Sequence, residues 1–194
     1  MSLVQGAPFE LQAFAREPDF ALTGELDFKA GLLRVDYELS GSLASLKFPA
    51  APSAAGHRTA RLWEHTCFEF FVGLENQESY WEFNASPSGD WAAYRFDSYR
   101  TGMRDEAGIS SLRISRKAQT GILGIELEAR LQDISEIREH LSKPEAELVV
   151  GITAVVEKND GKMSYWALAH PQTKPDFHDR AAFSIRLRKE GIVQ

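Results

Sequence analysis

Hydrophobic and polar residues alternate with a period of two along most of the chain. The cleanest case is 32–39, where Leu33, Val35, Tyr37 and Leu39 fall on one side and Arg34, Asp36 and Glu38 on the other. Successive side chains of a strand face opposite ways, so this segment reads as a half-buried antiparallel strand. Residues 121–131 split likewise, with Leu123, Ile125, Leu127, Ala129 and Leu131 against Glu126, Glu128 and Arg130. Further strands are expected at 9–14, 20–28, 43–48, 112–116, 164–168 and 183–187, and the almost wholly apolar 148–156 reads as a central buried strand. Asn159-Asp160-Gly161 signals a hairpin turn. The one clear helical signal is DISEIREHL at 133–141, with Asp133 as the expected cap and Glu136 three residues on. About ten strands with one short helix predict an all-β fold. The expected form is a two-layer antiparallel β-sandwich, jelly-roll or immunoglobulin-like, in one domain.

The stretch CFEFFVGLENQESYWEFNASPSGDWAAYRFD, residues 67–97, reads as three strands joined by two tight turns. Phe68, Phe70 and Val72, then Trp81, Phe83 and Ala85, then Ala92, Tyr94 and Phe96 are assigned to one apolar face. The intervening positions form a mixed polar and aromatic face. A turn centred between Ser88 and Gly89 would set Glu82 opposite Arg95, and one centred between Glu75 and Asn76 would set Glu69 opposite Glu82. The expected row is Glu69–Glu82–Arg95, with Tyr80, Asn84 and Trp91 around it. Two like charges directly opposite are unfavourable unless Arg95 or a ligand compensates. A solubilising ion-pair ladder is the plainer reading of such a row. Trp63 shares the parity of Glu69, so a continuous strand would place it on the same face; the alternative is that it lids the end of the core.

Composition narrows the chemistry. The 194 residues are 43% hydrophobic and 26% charged, as in ordinary soluble globular proteins. A net charge of −6 without a basic patch argues against nucleic acid. The single cysteine forbids an internal disulfide and fits a reducing compartment. With no membrane-spanning apolar run and no visible signal peptide, a cytoplasmic location is expected. Residues 49–60, PAAPSAAGHRTA, read as a long loop. No zinc spacing, phosphate loop or nucleophile elbow occurs, so no cofactor is called for. Glu69 and Glu82 are the one carboxylate pair that a glycosidase-like reaction could use. Haem binding would need axial ligands from Met103, His65 or His178. Sugar binding draws on flat rings for stacking and on charged and amide groups for hydroxyls. Trp63, Trp91, Trp166, Glu69, Glu82, Asn84 and Arg95 supply that repertoire.

The runs LWEHTCFEFFVG at 62–73, YWEFNASPSGDWAAYRF at 80–96 and YWALAHPQTKPDFHDRAAFSIRL at 165–187 resemble the DOMON-like bacterial proteins, relatives of the family 9 carbohydrate-binding modules. The resemblance extends from about residue 22 to residue 187. It implies a β-sandwich with its ligand site on one sheet face. In carbohydrate-binding members two tryptophans sandwich a sugar above charged residues. By motif position Trp63 matches the first tryptophan, Glu69 the acidic residue and Arg95 the basic one, with Trp166 nearest the second tryptophan. Sugar and haem are both ligands within the wider group. The combined expectation is a non-catalytic domain binding a small molecule, most simply a carbohydrate, without nucleic acid or membrane. A haem domain or a protein-interaction module are the alternatives.

Overall fold

Alternation becomes two stacked sheets. In the computed structural model of the protein, which describes residues 3–4, 6–50 and 56–193, the strands are β1 (Leu3–Val4), β2 (Gly6–Ala13), β3 (Phe20–Lys29), β4 (Leu32–Gly41), β5 (Cys67–Leu74), β6 (Tyr80–Ala85), β7 (Trp91–Phe96), β8 (Arg104–Asp105), β9 (Arg113–Gln119), β10 (Ile122–Arg130), β11 (Leu148–Glu157), β12 (Met163–Ala167), β13 (Ile185–Arg188) and β14 (Gly191–Val193). All pairings between them are antiparallel. Hydrogen bonding runs β8-β7-β6-β5-β11-β12-β2-β3-β4-β10-β9. This path curls on itself at the β12–β2 junction, where Trp166 pairs with Ala13. The half around β5 then stacks on the half around β4, giving a β-sandwich.

Its core is what the period-two pattern dictates. Leu33, Val35, Tyr37 and Leu39 of β4 and Leu123, Ile125, Leu127 and Ala129 of β10 meet Phe68, Phe70, Val72, Trp81 and Phe83 from the facing layer. Each fully buried side chain of this size contributes about 1.5–3 kcal/mol. Phe70 and Phe83 stack at 4.6 Å between centroids. The Tyr37 hydroxyl crosses the core and donates to the Glu69 carbonyl at 2.7 Å, so this core phenol has a partner.

Several local expectations are corrected. Residues 43–45 form a 3-10 turn instead of a strand, because the Ser42 carbonyl accepts from both the N–H and the hydroxyl of Ser45. The helix α1 is shorter than expected, Ser135–His140, and Asp133 does not cap it. Asp133 instead ends a preceding 3-10 turn at Leu131–Asp133, which leaves Ile134 at the cap position. Strand β14 and the short β8 are three and two residues long, too short to carry an alternating signal. Part of the 49–60 loop, residues 51–55, lies outside the described residues; beyond it the chain runs beside β7, with the Trp91 N–H donating to His57 O at 3.0 Å.

The central meander keeps its three strands but not the expected register. Glu69 lies opposite Asn84, and Glu82 opposite Phe71 on one side and Tyr94 on the other. The β5–β6 pairing is shifted by two residues, which preserves parity. The β6–β7 pairing is shifted by one, which turns β7 over. The cause is a five-residue turn, Ser86 to Asp90, closed by Ser86 N–H to Asp90 O at 2.9 Å and Gly89 N–H to Ser86 O at 2.9 Å. Gly89 takes a left-handed φ of 95° there. Trp91, Ala93 and Arg95 therefore share a face with Trp81, and Ala92, Tyr94 and Phe96 share one with Glu82.

Candidate functional site

Strands β5 and β6 are buried on both faces, so the face turned away from the core is covered as well. Beneath that cover Cys67, Phe71, Tyr80, Ala92, Tyr94 and Phe96 form a second apolar cluster with Leu62 and Phe183. A cavity of about 520 Å³ opens over it, a size that suits a small-molecule ligand. Its floor is Glu69, Phe71 and Glu82, with Phe96 and Val155 beside them. Trp63 stands at one wall, and Phe177 and His178 at another. Arg100, Met103, Tyr165, Lys174 and Pro175 complete the lining.

Of the seven residues singled out for sugar binding, the structure brings three to the cavity: Trp63, Glu69 and Glu82. Trp63 sits on the 3-10 turn Leu62–Glu64, with its ring edge-on to Tyr94 at 5.8 Å. Asn84 is fully buried just behind, where its Nδ2 donates to Glu82 Oε1 at 2.7 Å. The other three lie elsewhere. Trp91 packs into the main core under the Arg58 guanidinium, 4.5 Å from its ring centroid. Trp166 is a core residue, 4% exposed, at the β12–β2 junction. Arg95 points to the core side and grips Glu136 of α1 through Nε at 2.7 Å and Nη2 at 2.8 Å, with Asp97 as a further partner. The Glu69–Glu82–Arg95 row does not form, because the one-residue shift places Arg95 on the other face.

What remains is two carboxyls without Arg95 beside them. Glu69 is 2% and Glu82 4% exposed. The Thr153 hydroxyl donates to Glu69 Oε2 at 3.2 Å, while Glu69 Oε1 is buried with no hydrogen-bond partner. Burial, then the nearby Glu82 charge, push the Glu69 carboxyl well above its usual range. Burial likewise raises Glu82 to about 7, opposed by the Asn84 hydrogen bond and by Arg100. The Cys67 thiol, buried beside both acids, is also pushed up, which leaves it protonated and unreactive. It donates to Asn84 Oδ1 at 3.5 Å.

The cover is segment 171–183, irregular apart from a 3-10 turn at Arg180–Ala182, and it is tied down at three places. Asp176 accepts from Arg100 Nη2 at 2.9 Å and from the Tyr99 hydroxyl. Arg180 donates to Leu74 O at 2.8 Å and Ser79 O at 3.2 Å, clamping the β5–β6 turn. Phe183 lies over Gly151, where a Cβ would come within 2.7 Å of its ring. These ties hold His178 in the cavity wall, with Nδ1 2.8 Å from the Tyr80 hydroxyl and Nε2 3.8 Å from Glu82 Oε2. Burial and the Arg100 charge lower His178 to about 4, so at neutral pH it is uncharged. Tyr80, raised to about 12 by burial, keeps its proton, and its hydroxyl shares a hydrogen bond with Nδ1. Phe177 and His178 have no periodicity around them to announce that they point at β5 and β6.

Among the described residues no group of three or more His, Cys, Asp or Glu side chains is placed to hold a metal ion. Of the haem ligands considered from sequence, Met103 and His178 line the cavity and His65 does not. His65 is bound to Glu157 at 2.8 Å, Met103 is exposed at the rim, and His178 Nδ1 is taken by Tyr80.

No protein-family model matches the chain, and no curated protein does. Solved structures do match. A carbohydrate-binding candidate from Bacteroides uniformis superposes with a TM-score of 0.66 at 13% identity, over 91% of this chain and 84% of that one. A family 9 carbohydrate-binding module from Caldicellulosiruptor kristjanssonii in complex with cellotriose gives a TM-score of 0.55 at 13% identity, over 95% and 83%. The same module family from that organism in complex with glucose gives 0.53 at 13% identity, over 97% and 85%. At this identity the likeness establishes the fold: the chain is a β-sandwich of the architecture found in family 9 carbohydrate-binding modules.

Proposed function

We propose that the protein is a non-catalytic carbohydrate-binding domain that holds a sugar in the cavity over β5 and β6. The observation that carries this reading is an aromatic-walled cavity with two buried carboxyls in its floor, one with an oxygen that has no partner. Sugar rings offer apolar C–H faces to Trp63 and Phe177 and paired hydroxyls to Glu69 and Glu82. Asn84 orients Glu82 from behind. The fold shared with sugar-complexed structures supports the reading. The DOMON-like resemblance belongs to the same proposal. Arg95, Trp91 and Trp166 have no part in it.

Titration calorimetry against a panel of mono- and oligosaccharides tests the proposal. One or more should bind, and Trp63→Ala should weaken that binding by about 1–2 kcal/mol, or roughly five- to thirtyfold, through loss of a stacking wall. A panel without a single binder, or a Trp63→Ala protein with unchanged affinity, would sink it.

A further inference from the structure

We infer that the cavity selects a sugar carrying a protonated amine over its neutral counterpart. The inference rests on the carbohydrate reading and deepens it. Its basis is a charge imbalance built into the floor. Glu69 and Glu82 sit on neighbouring strands with their side chains on one face, and each is almost fully buried. Among the described residues neither has a lysine or arginine within salt-bridge distance; the uncharged His178 is 3.8 Å from Glu82, and Arg100 acts on Glu82 from further off. The cations of the lining lie further out. Arg100 is paired to Asp176 at 2.9 Å, and Lys174 stands on the exposed part of the loop. Thr153 and Asn84 each supply one hydrogen bond, and Glu69 Oε1 receives none.

Buried like charges are stable only when a proton or a cation sits between them. In the unliganded protein burial raises both carboxyls, and the Glu82 charge raises Glu69 further, so both favour the protonated form. A metal ion would need more donors than this floor presents. An ammonium needs fewer. It donates up to three hydrogen bonds, matching the carboxylates of Glu69 and Glu82 in the cavity floor. The surrounding rings of Trp63, Phe71 and Phe96 add cation–π attraction in a desolvated site. An ammonium in this position stabilises both carboxylates, so a proton held by the pair leaves to solvent as the amine enters. The remaining titratable neighbours do not absorb it: Cys67 and Tyr80 hold their protons, and His178 stays neutral.

The test uses calorimetry at pH 6.5, where the amine is charged, with the 2-amino hexoses, their neutral parents and their N-acetyl derivatives. The amino sugar should bind at least about tenfold more tightly than its parent, and acetylation should abolish the gain. Titrations in two buffers of different ionisation enthalpy should report net proton release for the amine only. In a Glu69→Gln, Glu82→Gln double variant the amine-to-neutral affinity ratio should fall to near one. Equal affinity for amino and neutral sugars, or no proton release in the wild-type protein, overturns the inference and leaves the carbohydrate reading in place. Failure of every sugar to bind removes both.

Discussion

Glu82 is more costly to the fold than its neutral isostere would be. Its carboxyl titrates at about 7 in the folded protein against an ordinary 4.5. Below pH 4.5 folded and unfolded states both carry the proton, and the acid costs nothing. Between 4.5 and 7 the unfolded chain ionises first, so stability falls as pH rises, and above 7 the whole cost remains. The cost is on the order of 3 kcal/mol. Glu82→Gln keeps the acceptor for Asn84 and removes the charge. It should stabilise the unliganded protein by about 1–3 kcal/mol at pH 8 and hardly at all at pH 4.5, while weakening sugar binding. Urea denaturation at the two pH values reads this directly, and equal effects at both would show that charge burial is not the cause. Glu69 and Glu82 could be picked out from sequence because acids at alternate positions among aromatics stand out on a strand. Their isolation from Arg95 could not, since it depends on which way a different strand faces.

At the scale of elements, the turn before β7 explains most of what the sequence concealed. The three-strand segmentation was legible from Pro87-Ser88-Gly89-Asp90, but a turn of four or of five residues fits those letters equally. Parity normally arbitrates, because one face is greasy and the other polar. Here both faces of β7 are buried. Trp91 and Ala93 suit the main core as well as Ala92, Tyr94 and Phe96 suit the outer cluster. Only Arg95 discriminates, and it escapes the core at the sheet edge by pairing with Glu136, with its guanidinium 5.7 Å from the Trp81 ring. Its work is to fasten α1 to the end of β7. Arg95→Ala should therefore destabilise the protein by about 1.5–3 kcal/mol, the range for hydrogen bonds to charged groups. Sugar affinity should stay within about twofold. A large loss of affinity in a protein of unchanged stability would return Arg95 to the binding face.

For the molecule as a whole, the cover over β5 and β6 turns an ordinary sheet surface into a second interior, and the pH profile of stability should record it. Several buried ionisable groups act in different windows. His178 is depressed to about 4 from 6.5, so its neutral state is favoured by folding and stability is lost as pH falls from 6.5 towards 4. Asp176, Glu147 and Glu157 are lowered despite their burial, by Tyr99 and Arg100, by Arg186 and Arg188, and by Lys47 and His65 respectively, so what they contribute is also lost towards acid. Glu69 and Glu82 act oppositely, removing stability as pH rises above 4.5. Between 4.5 and 6.5 the two sets oppose each other. Above 6.5 His178 and the salt-bridged acids have nothing further to give, while the cavity carboxyls still change. The melting temperature of the unliganded protein should thus peak in mildly acidic solution and decline from pH 6.5 to 8.5. A bound ammonium-bearing sugar should flatten that alkaline decline, because it supplies the charge that the departing protons had balanced. Melting curves across this range, with and without the sugar, measure both slopes. A flat profile above pH 6.5 in the unliganded protein would mean that the two acids are hydrated, and that the cavity is open to water where the fold places it under cover.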